Sequence, residues 1–112
     1  YPFGAAANEL GDVRGEDVTD LAGFFGIVYQ NNITPVSPNV VNMWSTLYAL
    51  INQTNVVIEG VRGAVQNGIL PAASGQAFEG EARFLRALAY HELLQHFARP
   101  FSDGAGSRPG VP

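Results

Sequence analysis

Residues 74–100, SGQAFEGEARFLRALAYHELLQHFARP, form the longest stretch with one period and defined ends. Ser74 is a good helix N-cap residue, and Glu79 and Glu81 place acids in the early turns. No Pro or Gly interrupts residues 81–99, and Pro100 stops the helix. At ~100° per residue, Phe78, Ala82, Leu85, Ala89 and Leu93 share one stripe. Phe84 and Leu88 lie on a second face, and Ala87, Tyr90, Leu94 and Phe97 on a third. A helix apolar on three sides is expected to pack among several partners. Leu85 falls in the main stripe, so Leu85→Asp is expected to unfold the chain by burying an unpaired charge.

A second long helix precedes it. Ser37-Pro38 supplies an N-cap and a proline at the first helical position. The stripe then runs Val40, Met43, Trp44, Leu47, Ile51, Asn55, Ile58, Arg62, Val65, widened by Val41, Tyr48 and Val56. Asn67-Gly68 signals a C-cap and Pro71 follows. The short link predicts two antiparallel helices. The fold class is all-α: a long antiparallel helical hairpin with irregular flanking segments. The expected layout of the one domain is irregular to residue 36, helices at 38–67 and 75–98, and a loop from 99 to 112.

Residues 16–30 are ambiguous. Val18, Leu21, Phe25 and Val28 fit a helical stripe, whereas Phe25, Ile27 and Tyr29 alternate as in a strand. One or two helical turns are favoured, although Gly23 and Gly26 weaken them. Residues 31–38 read as a loop. A hairpin with several apolar faces can be one unit of an α-solenoid, whose neighbours cover those faces.

Composition points the same way. The chain is 46% hydrophobic but only 14% charged, against ~25% for an ordinary soluble domain. Much of its surface is therefore expected to be covered by other protein. All six basic residues are Arg, they are scattered, and the net charge is −4. A nucleic-acid interface needs clustered positive charge, so none is expected. There is no cysteine, which excludes disulfides and thiolate chemistry. No apolar run reaches the ~20 residues that span a bilayer. The chain starts at Tyr1 and stops within a loop-like Arg108-Pro109-Gly110-Val111-Pro112, so both ends are expected to be cuts in a longer protein.

Little catalytic chemistry is visible. His91 and His96 are five apart and diverge by ~140° on a helix, which does not suit a shared metal. Glu92 and His96 read as a helix-face pair. Glu79, Glu81, Arg83 and Arg86 suggest surface or inter-helix ion pairs, with Arg86 placed either to extend its stem over packed residues or to pair with a neighbouring segment. Glu9, Asp12, Glu16, Asp17 and Asp20 form an acidic patch without calcium-loop spacing. Trp44 and Tyr48 read as core. Tyr29, Asn31 and Asn32, ahead of a loop, are the ligand-binding candidates: an aromatic face stacks on a sugar ring and amides bond its hydroxyls. No phosphate loop, nucleophile elbow or positioned carboxylate pair is present, so no enzyme, cofactor or metal is expected.

Trp44, Tyr48, Asn52 and Asn55, then Glu81-Ala82-Arg83-Phe84-Leu85-Arg86-Ala87 with Tyr90, Leu93 and Phe97, then Gly110-Val111-Pro112, resemble the SusD/RagB family. The resemblance extends back to Glu9-Leu10-Gly11-Asp12 and departs from the family pattern at Ala98-Arg99-Pro100. Family members are surface-exposed outer-membrane lipoproteins that capture nutrients. The resemblance implies a fragment of the N-terminal, TPR-like helical part of such a protein. It also implies a non-enzymatic role: binding an oligosaccharide, or in RagB-type members a peptide, for a SusC-like TonB-dependent transporter. Attachment to the membrane would be through a lipid anchor absent from this chain. The family motif residues are Trp44, Tyr48, Asn55, Glu81, Phe84, Leu85 and Arg86. They are expected to build scaffold, and no ligand residue carries over. A TPR-like protein-interaction scaffold is the alternative reading.

Overall fold

The computed structural model describes residues 4, 11–15, 18–21, 23 and 25–112. Its described elements are a 3-10 turn at Asp12–Arg14, α1 at Gly26–Tyr29, α2 at Pro38–Gln66 and α3 at Ala72–Phe97. The chain divides into two compact units, Tyr1–Thr46 and Leu47–Pro112. Glu9, Glu16 and Asp17 of the acidic patch lie outside the described residues.

In the first unit the 3-10 turn and α1 pack together, and Val13, Val28 and Met43 are buried. Asp20 Oδ2 accepts the Phe25 N–H at 2.9 Å just before α1. Of the one or two helical turns expected within residues 16–30, one is described, at Gly26–Tyr29. Only Val28 of the proposed stripe is buried; Leu21 is 94% exposed and Val18 is also exposed. After α1, the Ser37 N–H donates to the Thr34 carbonyl at 3.0 Å. Ser37 Oγ accepts the Thr34 N–H at 2.9 Å. Pro35, second in this turn, has the fixed φ the position favours. The Ser37 carbonyl then accepts the Val41 N–H at 3.0 Å, and α2 begins with Pro38.

The second unit is the hairpin. α2 runs through Gly60 and Gly63 and ends in a Schellman motif. Gly68 takes a left-handed φ of +70°. Its N–H donates to Val65 at 3.1 Å, and Ile69 N–H reaches back to Ala64 at 2.9 Å. Pro71 precedes α3, whose first residue is Ala72. Ser74 therefore sits inside the helix and does not cap it. The chain reverses early because Gly68 turns it and Pro71 cannot continue α2.

Three pairings fix how the helices align. Gly75 lies against Val65, Glu79 bonds Arg62, and Arg86 bonds Asn55. Each step up α3 is matched by one step down α2, as an antiparallel pair requires. The same register sets Ala82 opposite Ile58, Ala89 opposite Ile51 and Leu93 opposite Leu47. All six of these residues are buried. Gly75, Ala82 and Ala89 recur every seven residues, and each faces a β-branched side chain of α2. Small residues on one helix let the two axes approach, while Val65, Ile58 and Ile51 fill the space. A Cβ on Gly75 would overlap Val65 Cγ2. The usual cost of glycine in a helix, ~1 kcal/mol against alanine, is here the condition for contact.

This seam corrects the stripe drawn from sequence. Ala82, Ala89 and Leu93 are inward, but Phe78 and Leu85 are not; Leu85 is 40% exposed. A seam with a seven-residue repeat passes between them, through Gly75, Glu79, Ala82, Arg86, Ala89 and Leu93. Apolar size misled the assignment, because the close-packed positions on α3 are occupied by the smallest residues. Phe84, at 67% exposed, and Leu94 face outward, so the second and third apolar faces of α3 remain open within this chain.

Polar side chains flank the seam. Arg86 Nη1 donates to Asn55 Oδ1 at 2.7 Å in a partly buried setting. Glu79 accepts from Arg62 Nη2 at 2.7 Å and from Arg83 Nε at 2.8 Å. Hydrogen bonds from Arg62, then Arg83, hold the Glu79 carboxyl down at about 2. Both arginines are more than half exposed, so water screens the pair.

Two outcomes follow for stability. Gly75→Leu should cost about 1–3 kcal/mol of stability through overpacking and so lower the denaturant midpoint, whereas Leu85→Asp should leave the chain helical by circular dichroism. The depressed Glu79 pKa adds stability that is full above the ordinary value near 4.5 and lost as pH falls toward about 2. A pH titration of the unfolding midpoint should therefore be flatter between those values in Glu79→Gln than in the unsubstituted chain.

Candidate functional site

Tyr29, Asn31 and Asn32 lie at and just after the end of α1, all exposed. The turn is made by backbone bonds, Asn31 N–H to Val28 at 3.1 Å and Asn32 N–H to Ile27 at 3.0 Å. Asn31 has a left-handed φ of 55°, a conformation that asparagine tolerates better than most residues. Its Oδ1 accepts from Arg14 Nε at 3.4 Å, which ties the turn to the 3-10 segment. The sequence therefore brings an aromatic ring and two amides to one exposed turn.

Beside it is a hollow of about 450 Å³, lined by Gly23, Gly26, Ile27, Gln30, Pro38 and Asn39. None of the three sequence candidates lines it. Gln30 and Asn39 supply amides, and Ile27 and Pro38 supply apolar walls. These residues escaped the sequence reading because Gly23 and Gly26 counted only as weak points in a helix. The available signal was the unbroken amide run Gln30-Asn31-Asn32 beside two glycines.

The motif residues fall elsewhere and have structural surroundings. Asn55 and Arg86 bond each other across the hairpin. Trp44 is partly buried on α2, one residue beyond the fully buried Met43. Tyr48 Oη donates to the Pro112 carbonyl at 2.6 Å, holding the end of the 98–112 segment against α2. Partial burial, then the neighbouring Tyr90 phenol, push the Tyr48 hydroxyl up, which keeps it a donor. In the same segment Arg99 pairs with Asp103 at 2.7 Å, and a Cβ on Gly110 would press on Leu94 at 3.0 Å. Glu81, Phe84 and Leu85 point outward. Glu92 and His96 stand 3.5 Å apart along α3. Among the described residues no helix is long and apolar enough to cross a membrane.

Neither a curated protein nor a solved structure matches the chain. Residues 16–112 match a SusD-like family described as starch-binding and associating with the outer membrane. The matched region holds both long helices and the Trp44 to Arg86 motif; Glu9-Leu10-Gly11-Asp12 falls outside it. With most of its length so matched, and a hairpin whose polar tie joins two of the motif residues, the chain belongs to the SusD-like family.

Proposed function

We propose that this protein is a non-enzymatic glycan-binding component of an outer-membrane nutrient-uptake complex. The family match over residues 16–112 carries this reading. The division of chemistry along the chain supports it. The hairpin motif residues Asn55, Arg86 and Tyr48 are engaged with the scaffold itself. Exposed aromatic and amide groups gather instead at Tyr29, Asn31 and Asn32. Such groups bind neutral sugars by stacking and by hydrogen bonding to hydroxyls. On this reading the protein is a surface-exposed lipoprotein, and it passes its ligand to a SusC-like TonB-dependent transporter.

A second reading has one observation in its favour. Leu50, Val57, Phe78 and Leu85 line an open apolar groove along the hairpin, the kind of surface a TPR-like scaffold offers to a peptide helix. The two readings part in a calorimetric titration of the purified protein against maltoheptaose and against a panel of amphipathic peptides. Glycan binding with no release of reducing sugar is the expected result. Peptide binding without glycan binding would favour the scaffold, and hydrolysis of the glycan would overturn the non-enzymatic role.

A further inference from the structure

We propose that the groove between Leu50, Val57, Phe78 and Leu85, with Glu81 at its edge, docks an amphipathic helix from a partner protein, one that sets a lysine or arginine beside its apolar stripe. This adds a protein partner to glycan binding and does not depend on it. The two sides of the seam between α2 and α3 differ in chemistry. On one side the polar groups satisfy each other: Asn55 with Arg86, and Glu79 with Arg62 and Arg83. On the other side Leu50, Val57, Phe78 and Leu85 surround an open groove of about 440 Å³. Of these, Val57, Phe78 and Leu85 are exposed. Thr54 also lines the groove, but its hydroxyl already donates to the Ile51 carbonyl at 2.7 Å.

Charge narrows the occupant. Glu81 is the one ionisable side chain among the described residues that line the groove, and it also lines the adjoining hollow beside Phe84. Among the described residues the ion pairs are Arg62 and Arg83 with Glu79, His96 with Glu92, and Arg99 with Asp103; none involves Glu81. Its helical neighbours three and four residues away, Ala77, Phe78, Phe84 and Leu85, are all apolar, so α3 itself offers it no partner. An exposed carboxylate in an apolar patch attracts a cation from outside and repels an acid. A second copy of this chain is a poor occupant, because a two-fold pairing of this face would set Glu81 near its own counterpart. Length agrees with a helix. Leu50 to Val61 spans about 17 Å along α2, three turns, and an apolar groove of that length suits the i, i+3, i+4, i+7 anchors of a short docked helix.

The test titrates the whole chain into a fluorescein-labelled synthetic helix of about 15 residues, near the shortest that folds alone. The helix carries leucine at every third or fourth position and lysine beside the leucines; a matched peptide has glutamate in place of lysine. Fluorescence anisotropy should show the lysine peptide binding about three- to tenfold more tightly than the glutamate peptide, with a difference that shrinks as salt is added. Glu81→Lys, at an exposed position, should reverse that preference. Leu85→Asp, expected to stay helical, should remove binding of both peptides. Equal affinity of the unsubstituted chain for the two peptides, or a preference unchanged in Glu81→Lys, would overturn the proposal. No binding of either peptide would also overturn it and would leave glycan binding untouched. Concentration-dependent dimerisation in sedimentation, lost in Leu85→Asp and unaffected by the lysine peptide, would overturn it in favour of a second copy.

Discussion

Close approach of α2 and α3 is the constraint on which the second unit depends. Gly75, Ala82 and Ala89 remove side-chain bulk from one helix at intervals of two turns. Val65, Ile58 and Ile51 fill the space from the other. Burying one such side chain contributes ~1.5–3 kcal/mol, and the gain requires that its neighbour be small. Once these contacts set the alignment, the polar pairs fall into place. Asn55 meets Arg86, and Arg62 meets Glu79. Shifting α3 by one residue would turn Phe84 or Leu85 toward α2 and leave Arg86 without its amide partner.

Much of this hairpin was legible in the sequence, for physical reasons. Proline and glycine act locally, so Ser37-Pro38, Asn67-Gly68 and Pro71 marked the helix limits to within a few residues. The start of α3 shifted to Ala72 because Pro71 already provides an extended residue before a helix, and Ser74 is not needed as a cap. Identity of the buried face was harder. Hydrophobic periodicity weights large side chains, and on α3 Phe78, Phe84 and Leu85 are exposed, while Gly75, Ala82 and Ala89 face in and Leu93 is the large side chain among them. Leu85 is the clearest case. The first unit was least legible: with glycine at 23 and 26, neither helix nor strand patterning dominated, and one turn of helix resulted.

The two kinds of chemistry in the chain are also separated along it. Of the motif residues, Asn55 and Arg86 tie helix to helix, and Tyr48 ties α2 to the segment after the hairpin. Exposed aromatic and amide side chains, Tyr29, Gln30, Asn31 and Asn32, lie at and after the end of α1. The open apolar surface at Phe84 and Leu85 is a different matter. It belongs to the motif, is not consumed by the hairpin, and accounts physically for a chain with so few charges.

Cross-linking across the seam tests the alignment most directly, and the absence of native cysteine makes it clean. In the double variant Ile58→Cys with Ala82→Cys, the two Cβ atoms should stand close enough for a disulfide, about 3.5–4.5 Å apart. Mild oxidation should therefore close the bond in high yield and raise the melting temperature. If Ile58→Cys instead bonded readily to Leu85→Cys and not to Ala82→Cys, the glycine–alanine seam would not be the interface between the helices.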